Sequence, residues 1–457
     1  MVKKMNMNMN MNMKLPALVM AMFATTAAWS AVSIQDASKL GATLTSVGAE
    51  VAGNKDGTIP DYTGGLSRDK SIDPLASPFS AEKPLFIITS KNVDQYKANL
   101  SDGQIAMFTK YPDTYKMPIY KTHRTAVYPD TIQKKAVKNA TKTTLVGGGN
   151  GLLNFDETIP FAIPQSGIEV VWNHVSRFRG GSVERNRALI PVQEDGSFNS
   201  VHVTATQVYP QYLLDGYDKK SDGNVLFYFD SKIKAPTRLS GNVTLVHETI
   251  NQVRQPRKAW VYNAGQRRVR RAPQVSYDAP AQGSDGLMTT DQVDMFNGAP
   301  DKYDWKLVGK TELYIPYNSY KLADKSKSYE EVVQPGHINP ELTRYELHRV
   351  WKVEATLKAG ERHIYGKRTF FVDEDTWQIA IADHFDSRGL LWRVAEGHML
   401  QFTNTNVPWY VAMANYDLLS GQGMLELNNE EKEAFKFNIK RKHSDYTASS
   451  LRRAGTR

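Results

Sequence analysis

From about residue 168 onward the sequence alternates between apolar and polar residues with a period of two, and this pattern constrains the fold most. Segments rich in Val, Ile, Thr, Tyr, Phe and Trp are predicted strands. They are Glu169–Arg177, Val201–Tyr209, Val225–Asp230, Asn242–Ile250, Trp260–Tyr262, Arg268–Arg271, Lys306–Pro316, Tyr345–Leu357, Tyr365–Val372, Trp377–Phe385, Leu391–Phe402 and Trp409–Tyr416. Short linkers at 373–376 and 386–389 favour antiparallel neighbours. The pattern predicts an α+β chain with one large, curved antiparallel sheet or open barrel over 151–428.

Residues 31–150 lack this alternation and are predicted to form a helical and loop-rich N-terminal extension. Ser101-Asp-Gly-Gln104 fits a capping box, which predicts a helix through Phe108 that Pro112 ends. A second helix is predicted within 130–146. The glycine-rich stretch Gly147–Gly151 is the predicted boundary between the extension and the sheet.

Two later segments interrupt or follow the strands. The insert 272–304 contains Pro, Gly and Asp and a short predicted helix at Thr290–Phe296, which could plug or cover the sheet. A basic C-terminal tail at 429–457 is predicted to begin as a helix.

The first thirty residues have the features of a Sec-type signal peptide. Lys3, Lys4 and Lys14 give a basic start, an apolar run follows at Leu15–Ala28, and Ala28-Trp29-Ser30 predicts cleavage before Ala31. The apolar run is short for a transmembrane helix, so an uncleaved anchor is the weaker alternative. We therefore expect a periplasmic protein, with outer-membrane association as an option.

The chain has no cysteine, which excludes both disulfides and lipidation at a cleavage-site cysteine, so a lipoprotein is not expected. The net charge of +9 falls to +6 without the three leader lysines. This modest excess fits a location near anionic surfaces and does not require nucleic acid as a partner.

Catalytic and cofactor motifs are not completed anywhere. His247-Glu248 lacks a second histidine at Asn251, Leu152 breaks a Gly-x-Gly-x-x-Gly pattern, and no Gly-x-Ser-x-Gly occurs. Asp383 and Asp386 are more typical of turn capping than of an acid–base pair. The acidic turn 373–375 is expected to be solvated. We therefore predict no catalytic residue, no metal site and no cofactor.

The strands are rich in aromatic residues, which have two interpretations. They line a concave cavity for an acyl chain or another apolar ligand, or they fill an ordinary packed core. The candidate cargo-binding residues are Trp172, Phe227, Phe229, Trp260, Tyr262, Trp351, Trp377 and Trp392.

The segment Trp260–Pro273 predicts a hairpin around the turn Asn263–Gly265, and its second strand is basic. The candidate docking residues for an anionic partner are Arg267, Arg268, Arg270 and Arg271. The alternative is a solvated edge whose charges discourage edge-to-edge pairing.

This hairpin resembles one in outer-membrane lipoprotein-sorting-like proteins. The strand–turn–strand segments Arg368–Trp377 and Asp386–Trp392 are similar to theirs, and Leu40–Gly65 resembles the start of bacterial domain-of-unknown-function family 1329. The resemblance covers nearly the whole mature chain. It implies a half-barrel like that of the lipoprotein carrier and receptor, with helices on the concave side, and it brings no catalytic residues.

The resemblance also implies periplasmic handling of a lipid or other hydrophobic cargo. Partners it implies are an outer-membrane protein and an inner-membrane exporter of the resistance–nodulation–division type. The favoured hypothesis is therefore a non-enzymatic carrier or chaperone. The alternatives are an assembly factor that docks on an outer-membrane protein and, less favoured, a hydrolase.

Overall fold

The computed structural model describes residues 31–69, 71–272, 277–428 and 434–455, so the predicted signal peptide lies outside the described residues. The strands are β1 (Phe86–Ile88), β2 (Met117–Ile119), β3 (Thr144–Val146), β4 (Gly151–Leu153), β5 (Ser182–Val192), β6 (Val201–Val208), β7 (Val225–Ala235), β8 (Val243–Thr249), β9 (Lys258–Asn263), β10 (Arg268–Arg271), β11 (Tyr303–Pro316), β12 (Val333–Gln334), β13 (His337–Ile338), β14 (Tyr345–Leu357), β15 (Lys367–Asp373), β16 (Ile379–Phe385), β17 (Leu391–Phe402), β18 (Val407–Asp417), β19 (Gly423–Leu427) and β20 (Phe435–Phe437). The helices are α1 (Ile34–Ala37), α2 (Asp102–Lys110), α3 (Asp130–Ala140), α4 (Gly167–Ser176), α5 (Lys219–Asp222), α6 (Tyr329–Val332) and α7 (Ala448–Gly455).

Sixteen of these strands form one open sheet, which confirms the predicted α+β fold with a large curved sheet. The strand order is β1-β2-β14-β15-β16-β17-β18-β19-β5-β6-β7-β8-β9-β10, with β11 also on β14 and β20 also on β5. Neighbours are antiparallel except for β2 and β14, which meet in parallel at Ile119 and Tyr345. The sheet is therefore mixed at one point.

The segment Glu169–Arg177 is a helix, so its prediction as a strand is wrong. Its valines favour a strand locally, but Gly167–Ser176 forms α4, and all ten of its residues are buried. It packs against β11 and β14. The helical spacing of Ile168, Val171, Trp172 and Val175 was a signal for this helix, and the strand prediction followed the β-branched content instead.

The N-terminal extension packs on the β14–β17 part of the sheet. The capping box of α2 is confirmed, because the Ser101 hydroxyl accepts from the Gln104 amide at 3.1 Å and Gln104 Oε1 accepts from the Ser101 amide at 3.0 Å. Helix α3 ends at Ala140, earlier than predicted, and 144–146 is the strand β3. The predicted domain boundary at Gly147–Gly151 stays a prediction.

The C-terminal tail packs on the outside of the sheet. Its predicted helical start at 429–433 lies outside the described residues, and the described part contains β20 and α7. Tyr446 and Leu451 are buried against Tyr262, Val243 and Leu245. The tail thereby covers the face of β8 and β9 that is opposite to the concave side.

Within the described ranges, no helix combines the length and the apolar character that crossing a bilayer requires.

Candidate functional site: a cavity under the sheet

A cavity of about 510 Å³ lies between β5–β9 and residues 277–302, which we name the cover segment. This volume is within the range of small-molecule sites, about 300–1,000 Å³. Side chains two residues apart on each strand point into it, as the alternation of a strand requires. From the cover segment, Pro280, Met288 and Val293 close the opposite wall.

The strand register places one cross-strand row of the concave face across the cavity. The row consists of Arg185, Ala205, Ser231, Thr244, Val261 and Arg270. Directly opposed residues point to the same face of a sheet, so all six side chains lie on the concave face. Arg185 at one end of the row is buried, and Arg270 at the other end is exposed. Between them the wall is uncharged.

The middle of the cavity is apolar. Phe227 and Phe229 from β7 lie beside Val246 from β8, and Val203 and Ile233 extend this wall. Burying such side chains contributes roughly 1.5–3 kcal/mol each when they pack fully, but here part of their surface faces open volume.

The β5 end of the cavity is basic. Arg185 and Arg187 point inward from β5, and Glu426 on β19 accepts from Arg187 Nη1 at 2.7 Å and lies 3.7 Å from Arg185 Nη1. The Arg185 guanidinium also lies 4.6 Å from the ring centre of Trp409. Burial, together with the neighbouring Arg187, lowers the pKa of Arg185 to about 10.

A second buried pair of arginines holds the cover segment. Asp294 accepts from Arg177 at 2.8 Å and from Arg179 at 2.6 Å, and its backbone oxygen bonds His174 Nε2 at 2.8 Å. Burial alone would raise the pKa of Asp294, but the two guanidinium groups outweigh it and hold this pKa well below its usual range. The carboxylate therefore stays charged and holds the cover to the two arginines that follow α4, while the Asp294 backbone oxygen contacts His174 on α4.

Two further contacts hold the cover on its other side. Asp291 accepts from Arg368 Nη2 at 2.6 Å, and Gln292 Oε1 accepts from the Tyr365 hydroxyl at 3.0 Å. The short helix predicted at Thr290–Phe296 is only one 3-10 turn, Thr290–Gln292. The described part of the insert 272–304 covers the concave face of β5–β9, which is one of the two roles, plug or cover, that the sequence suggested.

The predicted cargo-binding residues separate into two groups. Phe227 and Phe229 line the cavity, and the other six do not. Trp172 on α4 donates to the Gly149 oxygen, Trp377 donates to the Val47 oxygen, and Trp351 stacks on Trp377 at 6.2 Å. These three belong to the packed core.

The remaining predicted aromatic residues face away from the cavity or lie at its far side. Trp260 and Tyr262 are on the β9 face that contacts the C-terminal tail, with Val261 between them pointing inward. Trp392 on β17 does not line the cavity and donates to Asp417 Oδ2 at 3.0 Å. A role of any of the eight residues in binding cargo stays a prediction.

The basic hairpin is confirmed as β9 and β10, and β10 is an edge strand. Arg267, Arg268, Arg270 and Arg271 are all exposed. Arg271 lies 5.7 Å over the Trp260 ring on the outer face, and Arg270 is opposite Val261 on the concave face. Pro273 lies outside the described residues, and docking through this edge stays a prediction.

Sequence reasoning missed the inward-facing arginines of β5. No strand was predicted over Ser182–Val192, because Arg185 and Arg187 occupy positions where a packed sheet has apolar residues. The alternation Val183, Arg185, Arg187, Leu189 was present as a signal. It identifies a strand only if charged residues are allowed on the buried face.

The acidic turn 373–375 is buried, contrary to the expectation of a solvated turn. Asp375 accepts two hydrogen bonds from Arg124, at 2.9 and 2.7 Å, and Glu374 accepts from Arg349 at 2.7 Å. His348, Asp373 and Asp375 have ligand atoms within 4.8 Å of one another. Because the Asp375 carboxylate is already paired with the Arg124 guanidinium, we interpret this acidic turn as part of an ion-pair network.

The other paired acids have separate roles. Asp383 is buried and accepts from the Ser101 hydroxyl and the Gly103 amide, whereas Asp386 caps an exposed turn by accepting from the Arg388 and Leu390 amides. Burial raises the pKa of Asp383 to about 7. Among the described residues that line the cavity none is a histidine, so a histidine–serine or histidine–acid pair does not face it there.

A family model described as "Protein of unknown function (DUF1329)" matches residues 87–452, which is most of the chain. The chain belongs to the DUF1329 family. This confirms the resemblance to family 1329. The uncharacterized protein PA3922 of Pseudomonas aeruginosa is a relative, 57% identical over 445 residues that cover 96% of this chain and 97% of that protein.

Two solved structures are similar to this DUF1329 chain at low identity. One is a domain from Vibrio parahaemolyticus named for outer membrane lipoprotein sorting, at 14% identity and TM-score 0.43, covering 63% of this chain and 98% of that one. The other is a DUF1329 protein from Desulfovibrio piger, at 15% identity and TM-score 0.41, covering 60% and 92% respectively.

Proposed function

We propose that this protein is a carrier or chaperone that holds an apolar or amphipathic molecule in the cavity between β5–β9 and the cover segment. The observation that carries the proposal is the cavity of about 510 Å³ with an apolar middle wall. A fold that needed only stability would fill this volume, because protein interiors are close-packed and each void costs packing energy.

The cover segment supports the same function. It contributes one cavity wall, and Asp291, Gln292 and Asp294 are among the residues that hold it to the rest of the molecule. An apolar ligand is shielded from water beneath it. Carriers need such shielding, because apolar surface transferred from water to a dry site is stabilised by about 25 cal/mol per Å².

The location and the partners are part of the proposal. The predicted leader of residues 1–30 supports export to the periplasm. There the carrier would accept cargo from, or deliver it to, envelope transport proteins, with an outer-membrane protein and a resistance–nodulation–division-type exporter as the candidates. The low-identity structural likenesses add no support to these partners.

Blocking the cavity tests the proposal. Val246→Trp projects a large side chain from the middle wall, and Val308→Trp is the matched control because Val308 on β11 is 46% exposed. We expect the wild type and Val308→Trp to bind the neutral probe N-phenyl-1-naphthylamine. Binding by Val246→Trp should be at least about tenfold weaker, measured by fluorescence titration.

Native mass spectrometry and solvent extraction of the purified protein complete the test. A bound apolar molecule in the wild type that Val246→Trp lacks supports the carrier. An empty wild-type protein whose probe affinity equals that of Val246→Trp contradicts it.

A second candidate is an assembly factor that docks through β10. The observation that favours it is an edge strand with exposed Arg268 and Arg270. Charge reversal at both residues should abolish pull-down of solubilised outer-membrane proteins. The matched control reverses Lys134 and Lys142, two exposed lysines of the extension. Equal pull-down by both double variants would argue against docking at this edge.

A further inference from the structure

The region around the cavity has more buried positive than negative charge. In the described part of the chain, five buried arginines lie at or next to its wall: Arg177, Arg179, Arg185, Arg187 and Arg257. Three carboxylates face them, Asp294, Glu426 and Glu248. The excess is two positive charges. Buried charges are normally paired, so this excess calls for an anion.

One charge of this excess belongs to the Asp294 cluster, where Arg177 and Arg179 both lie within hydrogen-bond distance of the carboxylate. The other belongs to the β5 end, where Arg185 and Arg187 share the single carboxylate of Glu426. Arg187 Nη1 lies 2.7 Å from Glu426 Oε2, whereas Arg185 Nη1 lies 3.7 Å from Glu426 Oε1. At this distance Arg185 has a charge partner without a hydrogen bond.

Buried donors around this end also lack acceptors within the described residues. They are Nε of Arg179, Nε of Arg187 and the side-chain nitrogen of Gln207. The acceptors Glu426 Oε1 and Asn297 Oδ1 are likewise without a hydrogen bond. Two of the three unpartnered donors belong to arginines, and with the Gln207 amide they form a site that fits oxyanions, because guanidinium groups match carboxylate and phosphate geometry.

The apolar wall begins directly at this basic end. The Arg179 guanidinium lies 5.6 Å from the ring centre of Phe227, and Gln207 is opposite Phe229 in the strand register. A ligand bound at the arginines therefore has its next atoms against aromatic and aliphatic side chains. Such a site selects molecules with one anionic end and one apolar chain.

We propose that the cargo is a single-chain amphiphile whose anionic head group is bound by Arg185 and Arg187 and whose apolar chain lies along Phe227 and Phe229. The head group is a carboxylate or a phosphate. This inference rests on the proposed carrier function and adds the charge of the cargo and its orientation in the cavity.

The exposed edge of the sheet fits the same cargo. Arg270 ends the cross-strand row that begins at Arg185, and Arg268 lies on the same face two residues away. Positive charge at a cavity rim attracts anionic ligands and raises the rate at which they associate. The rim arginines are therefore expected to affect the association rate more than the final affinity.

A head-group series with a constant chain tests the proposal. The probes are palmitate, hexadecyl phosphate, hexadecanol and inorganic phosphate, added to purified, delipidated protein and followed by calorimetry or by displacement of a neutral fluorophore. We expect palmitate and hexadecyl phosphate to bind at least about tenfold more tightly than hexadecanol. Inorganic phosphate, which has no chain, should bind far more weakly than either.

Two sets of variants locate the head group. Arg185→Met and Arg187→Met remove the charge while retaining an apolar stem, and Arg185→Lys retains the charge. The Met variants should lower palmitate affinity about tenfold or more and leave hexadecanol within about threefold of the wild type. Phe229→Ala should weaken all three C16 probes alike. Circular dichroism of each variant establishes that it is folded.

The outcomes separate this inference from the carrier function. If no C16 probe binds the wild type, the carrier proposal itself is wrong. If hexadecanol binds as tightly as palmitate, the protein remains a carrier and the anionic head group is wrong. This second result is obtained on the wild type alone, so it stands even if an arginine variant fails to fold. Strong binding of inorganic phosphate alone would replace the amphiphile with a small oxyanion.

Discussion

The two halves of the sheet present the same kind of concave face and use it differently. Under β14–β18 the face is filled by α4 and the N-terminal extension, and residues such as Trp377, Val411 and Val350 are fully buried. Under β5–β9, none of the described helices enters. The face there borders a cavity of about 510 Å³, and the cover segment forms the opposite wall.

Under the proposed carrier function, one half of the sheet supplies stability and the other supplies the binding site. The filled half contributes the packing that a chain without disulfides needs. Charged residues buried in the filled half are closely paired, as Asp375 is with Arg124 at 2.7 Å. The hollow half gives up packing, and on its inner face Arg185 and Arg187 share one carboxylate. The cover segment joins the two, because Asp294 contacts α4 in the filled half and Val293 next to it lines the cavity.

Truncating one aromatic residue in each half gives the largest expected contrast. Trp377→Ala removes a fully buried side chain and its hydrogen bond to the Val47 oxygen, so the free energy of unfolding should fall by about 3–5 kcal/mol. Phe229→Ala should lower it by about 1 kcal/mol or less, because Phe229 already faces open volume. Urea denaturation measures both, and equal losses would remove the distinction between the halves.

Enlarging one valine in each half gives the next contrast. Val411→Trp inserts a large side chain where Val411 is 0% exposed, and overpacking should cost about 3 kcal/mol. Val246→Trp should change stability by less than about 1 kcal/mol, because the added ring enters the cavity. A cost at Val246 as large as that at Val411 would indicate that the volume is not available to a ligand.

A buried acid in the filled half predicts a pH dependence. Burial raises the pKa of Glu396 to about 7, while its Oε2 accepts from the Tyr345 hydroxyl at 3.0 Å. The folded state therefore binds the proton more tightly than the unfolded state, and this contribution to stability is lost as the pH rises from about 4.5 to about 7. Removing the charge should remove that loss.

Glu396→Gln is the corresponding variant. We expect it to be more stable than the wild type at pH 8, by up to about 3 kcal/mol, and to differ little at pH 5. Chemical denaturation at the two pH values measures this. A Gln variant that loses as much stability as the wild type between pH 5 and pH 8 would contradict the assignment.

The smallest effect is expected at the sheet edge. Arg268→Glu with Arg270→Glu changes two exposed residues, so the free energy of unfolding should change by less than about 0.5 kcal/mol. The same double variant should slow the association of palmitate without a matching change in its dissociation rate. Stopped-flow measurements at low and high salt separate steering by charge from a direct contact.

The sequence predicted most of the sheet because its strands on the filled half follow simple rules. β14 and β17 have the predicted bounds, and β10 does as well. The capping box at Ser101 was also predictable, since its signal is local. These elements are specified by short motifs along the chain and by the alternation of side chains between the buried and the exposed face of the sheet.

Two errors have one physical cause. The valine-rich α4 was predicted as a strand, and β5, which carries Arg185 and Arg187, was missed. Local propensity assigns β-branched residues to strands and charged residues to surfaces, and tertiary burial overrides it in both cases. The candidate site was therefore half predicted, because Phe227 and Phe229 were expected and the arginines beside them were not.

By itself the sequence determined the family, through its resemblance to family 1329. It also determined the curved sheet and the basic hairpin, because alternating side chains specify strands and short linkers make neighbouring strands antiparallel. Only the tertiary structure decided which part of the concave face is filled and which is hollow. An aromatic side chain on a strand has the same local pattern in either environment. What lies across from it is set by segments distant in sequence, α4 in one half and the cover segment in the other.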